Sequence, residues 1–156
     1  MKRVLIPSNL SPEALVVLND VSEYVQDDQL EIIFGVGYRL NNTRFELYGF
    51  HPNRILSSAF GSDFKYYLEF QRRNNPVIQS VKFDLFTGQT KYAFQNFLKL
   101  HKIDLALVSR DTDLNYGNKF FDITNFIDRS GLPVMEINSL SHLLLENKLE
   151  QQTVMA

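Results

Sequence analysis

The chain of 156 residues has no cysteine and no tryptophan. Without cysteine it forms no disulfide, holds no metal through thiolate and offers no thiol nucleophile. That fits a reducing compartment, and a cytoplasmic location is the expectation. Proline and glycine are scarce, at five and seven residues, which excludes a collagen-like or low-complexity chain. Charge of one sign is not in excess. Sixteen Lys and Arg stand against eighteen Asp and Glu, a net charge of −2, and this balance does not favour a nucleic-acid partner. Long apolar runs are missing too. None approaches the ~20 residues that cross a bilayer, and Val4-Leu5-Ile6 after the basic pair Lys2-Arg3 is too short for a signal-peptide core. No membrane partner is expected. The three histidines, His51, His101 and His142, are scattered and lack metal-ligand spacing. His101 falls at a predicted helix C-terminus, where partial positive charge is favourable. No P-loop and no Gly-x-Ser-x-Gly elbow occurs. Ser8, Ser11 and Ser109 have no base beside them, so capping and turn roles are expected of them. The composition thus predicts neither an enzyme nor a metal protein.

What is present is a series of short apolar runs between amphipathic segments. Val4-Leu5-Ile6-Pro7 reads as a strand covered on both faces and stopped by proline. Ser11 and Pro12 make a helix start, and Ala14, Val17, Leu18, Val21 and Val25 follow at helical spacing. Leu30 to Val36 is a second strand, its end loosened by Gly35 and Gly37. Residues 38–61 carry the weakest pattern: a turn at Asn41-Asn42-Thr43, then alternating Phe45, Leu47 and Gly49, broken by His51-Pro52-Asn53. A helix is predicted from Ser62 to Arg73, stopped by Asn74-Asn75-Pro76. A third strand alternates through Val81, Phe83 and Leu85, and a helix follows over 89–102. Asp104 to Ser109 is the fourth strand. Asn118 is placed to cap a further helix carrying Phe120, Ile123, Phe126 and Ile127, with Gly131 closing it. Pro133 to Ile137 is the fifth strand, and Leu140, Leu143, Leu144 and Leu149 suggest a last helix. Strand and helix alternate with connections long enough for right-handed crossovers, so the expected fold is a mostly parallel sheet with helices on both faces. The boundary falls near 138, giving a domain over 1–138 and a C-terminal helix and tail over 139–156.

Three stretches carry a family resemblance. Val4-Leu5-Ile6-Pro7-Ser8-Asn9-Leu10-Ser11-Pro12-Glu13-Ala14 is similar to the opening of the universal stress proteins. Gly88 followed by a helix and Asp104-Leu105-Ala106-Leu107-Val108 resembles that family's glycine and fourth strand, and Ser130-Gly131-Leu132-Pro133-Val134-Met135-Glu136-Ile137 resembles its closing strand. The resemblance implies an open three-layer sheet of five strands in the order 3-2-1-4-5, of the adenine-nucleotide alpha-hydrolase-like type. It also implies a non-catalytic regulatory or binding module in a stress response, working as a homodimer through Val134, Met135, Glu136 and Ile137.

ATP-binding members of the family carry glycine, two residues, glycine, nine residues, then glycine and Ser or Thr after the fourth strand. Bare backbone N–H groups there approach the triphosphate. In this chain Arg110 and Asp113 stand at the first two glycine positions, Phe120 and Phe121 at the glycine–hydroxyl pair, and Asn9 at the usual aspartate. The expectation is therefore that no cofactor is bound, with ATP disfavoured. The alternative is a small-molecule or nucleotide binder with a modified pocket. Ser8, Asn9, Arg110 and Asp111 would line it at the ends of the first and fourth strands, Arg110 meeting a phosphate. Asp111 to Gly117 imitates a calcium loop but puts Tyr116 where glycine is needed and Asp122 at the twelfth place, so a solvated loop is expected. The basic and aromatic residues of 38–73 read as a helix with an aromatic core stripe rather than a nucleic-acid surface.

Overall fold

A computed structural model describes residues 1–40, 50–110 and 114–137. β1 (Lys2–Pro7), β2 (Leu30–Tyr38), β3 (Ile78–Phe86), β4 (Leu105–Ser109) and β6 (Val134–Ile137) form one sheet in the order β3-β2-β1-β4-β6, and all four pairings are parallel. This is the expected order 3-2-1-4-5. A two-residue strand, β5 (Phe120–Phe121), pairs antiparallel with the end of β2. Between the strands lie a 3-10 helix (Pro12–Asn19) and the α-helices α1 (Val21–Tyr24), α2 (Pro52–Ala59), α3 (Ser62–Asn74), α4 (Lys91–His101) and α5 (Thr124–Arg129).

The central strands are buried on both faces, which is why they read as unbroken apolar runs. Val4, Ile6, Leu30, Ile32 and Phe34 face the 3-10 helix, α1 and α3, meeting Leu15, Leu18, Val21 and Phe64. Leu5, Ile33, Ala106 and Val108 face α4 and α5, meeting Phe94, Phe97, Leu98 and Ile127. The phenylalanines stack in two groups. Phe34, Phe60, Phe64 and Phe83 lie on the first face. Phe86, Phe94, Phe97 and Phe126 lie on the second. On that second face Glu31 receives Arg3 at 3.0 Å and Lys82 at 2.8 Å, one from each neighbouring strand. His101 closes α4 beside Asp84, 3.5 Å away, and packs on Phe97.

The structure departs from the sequence pattern in three places. The helix expected from Pro12 through Val25 divides into the 3-10 helix and the single turn α1. The β-branched Val16 and Val17 and the backbone-competing Asn19 and Asp20 work against a continuous α-helix. Pro52, read as a breaker, instead occupies the first turn of α2, where its missing N–H costs nothing. The helix expected from Asn118 starts only at Thr124, because Phe120 and Phe121 are taken by β2 as β5. Gly35 and Gly37 lie within β2; Gly37 makes room for this partner, and Gly35 for the side chains of Ile123 and Leu5. A methyl group at Gly35 would lie 2.6 Å from Ile123 Cδ1, and one at Gly37 would run into the Phe121 carbonyl and ring. The strand expected from Phe45 to Gly49 and the helix and tail of 139–156 fall outside the described residues. Among the described residues, no helix is long and apolar enough to cross a membrane.

Candidate functional site

β1 and β4 are neighbours, but their chains leave in opposite directions, toward β2 on one side and β6 on the other. At such a switch point the loops after the two strands part and leave a crevice beyond the strand ends. Here the crevice is floored by Ile6, Pro7, Val108 and Ser109, and walled on one side by Glu13, Ala14 and Val17 of the 3-10 helix. Leu114, Tyr116, Asp122 and Thr124 form the other wall. It is narrow: the space it encloses is about 60 Å³, well below the roughly 300–1,000 Å³ of small-ligand sites. A shallow open depression over Leu114 to Asn118 adjoins it.

The polar groups of the outer wall are joined to one another. Asp122 Oδ1 accepts from the Thr124 N–H at 2.9 Å and the Thr124 hydroxyl at 2.6 Å, an Asx turn that leads into α5. The Tyr116 hydroxyl is pushed well above its ordinary range, first by burial and then by the charge and hydrogen bond of Asp122. It therefore stays a protonated donor. With Glu13 on the opposite wall, two carboxylates face the cleft, and among the described residues no Lys, Arg or His lines it. Such a lining favours a ligand that presents hydroxyl or amino donors to the carboxylates and an apolar plane to Ile6, Val17, Val108 and Leu114.

Of the residues proposed from sequence as ligand contacts, Ser8, Asn9 and Arg110 are described, and none of the three lines the cleft. Ser8 is fully buried; its Oγ accepts the Leu10 N–H at 2.9 Å. Asn9 Oδ1 accepts from the N–H and hydroxyl of Ser11, and Asn9 Nδ2 donates to the Asn115 carbonyl at 2.8 Å. Leu10 is held there at φ 64°, a left-handed conformation costly for leucine, and packs on Val36 and Leu56. Asn9 thus ties the loop after β1 to the segment carrying Tyr116. Arg110 turns the other way, donating to both oxygens of Asp128 on α5 and to Glu136 on β6. These two carboxylates raise its already high pKa further, and Arg110 in turn holds the Asp128 carboxyl below its usual range. Asp111 lies outside the described residues. Val134 to Ile137 form β6, the edge strand, with Met135 and Glu136 exposed and Ile137 buried. Glu13, Tyr116, Asp122 and Thr124 were not read from sequence as site residues. The available signal is Asp122-x-Thr124 ahead of an apolar segment, an Asx-turn pattern that precedes α5.

No family model matches the sequence, and no curated protein matches it either. Solved structures do match in shape. A universal stress protein, UspA from Lactobacillus plantarum, is 16% identical, with a TM-score of 0.51 over 88% of this chain and 97% of that one. A universal stress protein family protein from Arabidopsis thaliana, solved with AMP bound, is 14% identical, with a TM-score of 0.50 over 88% of this chain and 92% of that one. The chain has the universal stress protein fold.

The comparison corrects the expectation that no cofactor is bound and that ATP is disfavoured. A protein of this fold holds AMP. The steric premise fails as well. Phe120 and Phe121 are drawn into β5, where Phe120 meets Tyr38 and Phe121 packs toward Phe86 and Phe126. Neither ring lines the cleft, and Thr124 supplies a hydroxyl there instead. Among the described residues, no group of three or more His, Asp or Glu is arranged to hold a metal ion.

Proposed function

We propose that this chain is a non-catalytic binding module whose cleft, beyond the ends of β1 and β4, takes an adenine mononucleotide. The observation that carries the reading is the convergence of Glu13, Tyr116, Asp122 and Thr124 on an otherwise apolar crevice at the switch point of the sheet. The base enters between Ile6, Val17, Val108 and Leu114 as the two walls part, because the closed crevice, at about 60 Å³, is too small for it. The ribose hydroxyls donate to Asp122 or Glu13, and the phosphate lies outward over the open depression at Leu114 to Asn118. AMP bound to an Arabidopsis protein of the same fold supports this choice of ligand. Binding is read out through a homodimer formed at the free edge of β6, which among the described residues pairs with β4 alone.

Titration calorimetry with adenosine, AMP, ADP and ATP tests the ligand. AMP is expected to bind and to remain chemically unchanged. Asp122→Asn, which keeps an acceptor for the Thr124 N–H, is expected to weaken binding by about tenfold, as for loss of one charge-assisted hydrogen bond. Absence of heat across the whole panel at millimolar ligand removes the reading.

A further inference from the structure

α3 shows the solvent a stripe that its own fold does not use. Its inner side sends Phe64 and Leu68 into the core. On the outer side Tyr66 is 70% exposed and Phe70 52%. Large rings left this open are hot-spot residue types at interfaces. Asp63 and Arg73 bracket them, and both are exposed. At about 100° per residue, Asp63, Tyr66, Phe70 and Arg73 fall within a strip roughly 80° wide. Their spacing of three, four and three is that of a coiled-coil seam.

The stripe is complementary to itself when reversed. Asp63 and Arg73 have the same midpoint as Tyr66 and Phe70, level with Leu68. One two-fold axis at that level sets Asp63 against Arg73 of another copy and Tyr66 against Phe70 of that copy, twice over. Arg72 is engaged by Glu69 at 3.7 Å. Among the described residues, Asp63 and Arg73 make no side-chain ion pair or hydrogen bond. The helix dipole accounts for an acid near the N-terminus and a base near the C-terminus, but not for two adjacent rings left in water between them.

We propose that α3 packs antiparallel on α3 of a second copy of this chain, with Asp63, Tyr66, Phe70 and Arg73 as the seam. The contact is separate from the cleft and from β6, and does not rest on the ligand reading. Four half-exposed rings supply roughly 500 Å². The rings alone fall short of the roughly 1,000 Å² that a stable interface buries, so the association is weak, reversible and confined to high concentration.

Charge reversal tests the register, read by sedimentation velocity at rising concentration and low salt. Asp63→Arg and Arg73→Asp, each alone, set like charges together twice and are expected to weaken the α3 contact by about tenfold. Mixing the two variants pairs arginine with aspartate at both ends and is expected to restore it. Association through β6 alone would leave both variants and their mixture unchanged. Phe70→Ser is expected to abolish the α3 contact, with unchanged circular dichroism showing that the fold persists. The proposal is overturned if the single variants associate as the parent does, or if the mixture gains nothing over its components. It is equally overturned if Tyr66 and Phe70 prove to bind a single-stranded oligonucleotide without self-association.

Discussion

Glu31 exposes only 5% of its side chain, in a strand whose other residues are almost all apolar. A lone carboxylate there would be too costly to keep charged. The Lys82 hydrogen bond is the largest influence on it, burial opposes, and the charges of Lys82 and Arg3 add; the net result holds its pKa below the ordinary value. The sign follows from that direction. The folded pKa is depressed, so the contribution to stability is complete above the unfolded glutamate value of about 4.3 and is lost as pH falls through the folded value. Urea midpoints measured from pH 7 downward should fall more steeply below about pH 4 in the parent than in Glu31→Gln. At neutral pH the same substitution should cost about 1–2 kcal/mol. That is less than a fully buried pair is worth, because Lys82 stands largely in water. Identical pH slopes for the two proteins would show that the three charges are not coupled.

β5 is only two residues long, yet it decides what lines the cleft. By pairing with Gly37 and Tyr38 it removes Phe120 and Phe121 from the ligand side and brings Asp122 and Thr124 to it. Gly37→Ala should dislodge it, since the added methyl meets the backbone and ring of Phe121. A loss of about 1–3 kcal/mol in urea denaturation is expected, as for an overpacked site, together with loss of AMP binding. Parent-like stability would show that β5 has room to shift. Nothing in the sequence announces this strand. Two phenylalanines ahead of an apolar helical pattern read as part of the helix, and the partner lies some eighty positions earlier. By contrast β1, β2, β4 and β6 are legible. β2 and β4, buried on both faces, are apolar almost throughout, and Pro7 and Pro133 mark the end of β1 and the approach to the edge strand β6. Ser8 and Asn9 follow the end of β1. Their side chains are spent on their own turn, though, and hydrogen bonds of that kind cannot be told from ligand contacts in a sequence.

At the level of the molecule, the two surfaces proposed for self-association lie at opposite ends of the sheet. α3 packs by Phe64 against Phe83 of β3, one edge strand, and β6 is the other edge. Each would make an isologous contact, the same patch on both partners. Two separate two-fold contacts on one chain give either a closed tetramer or an open array, and they separate cleanly under mutation. With a net charge of −2 the chain has little long-range repulsion to keep copies apart. Met135 is 36% exposed on the free edge strand, so Met135→Lys should block the β6 contact as edge lysines generally do. Light scattering at high concentration should give a dimer for Met135→Lys and a dimer for Phe70→Ser. The double variant should be a monomer, and the parent should be larger than any of them. A monomer in either single variant would mean that only the surface it alters associates. A parent no larger than a dimer would mean that the two contacts exclude each other.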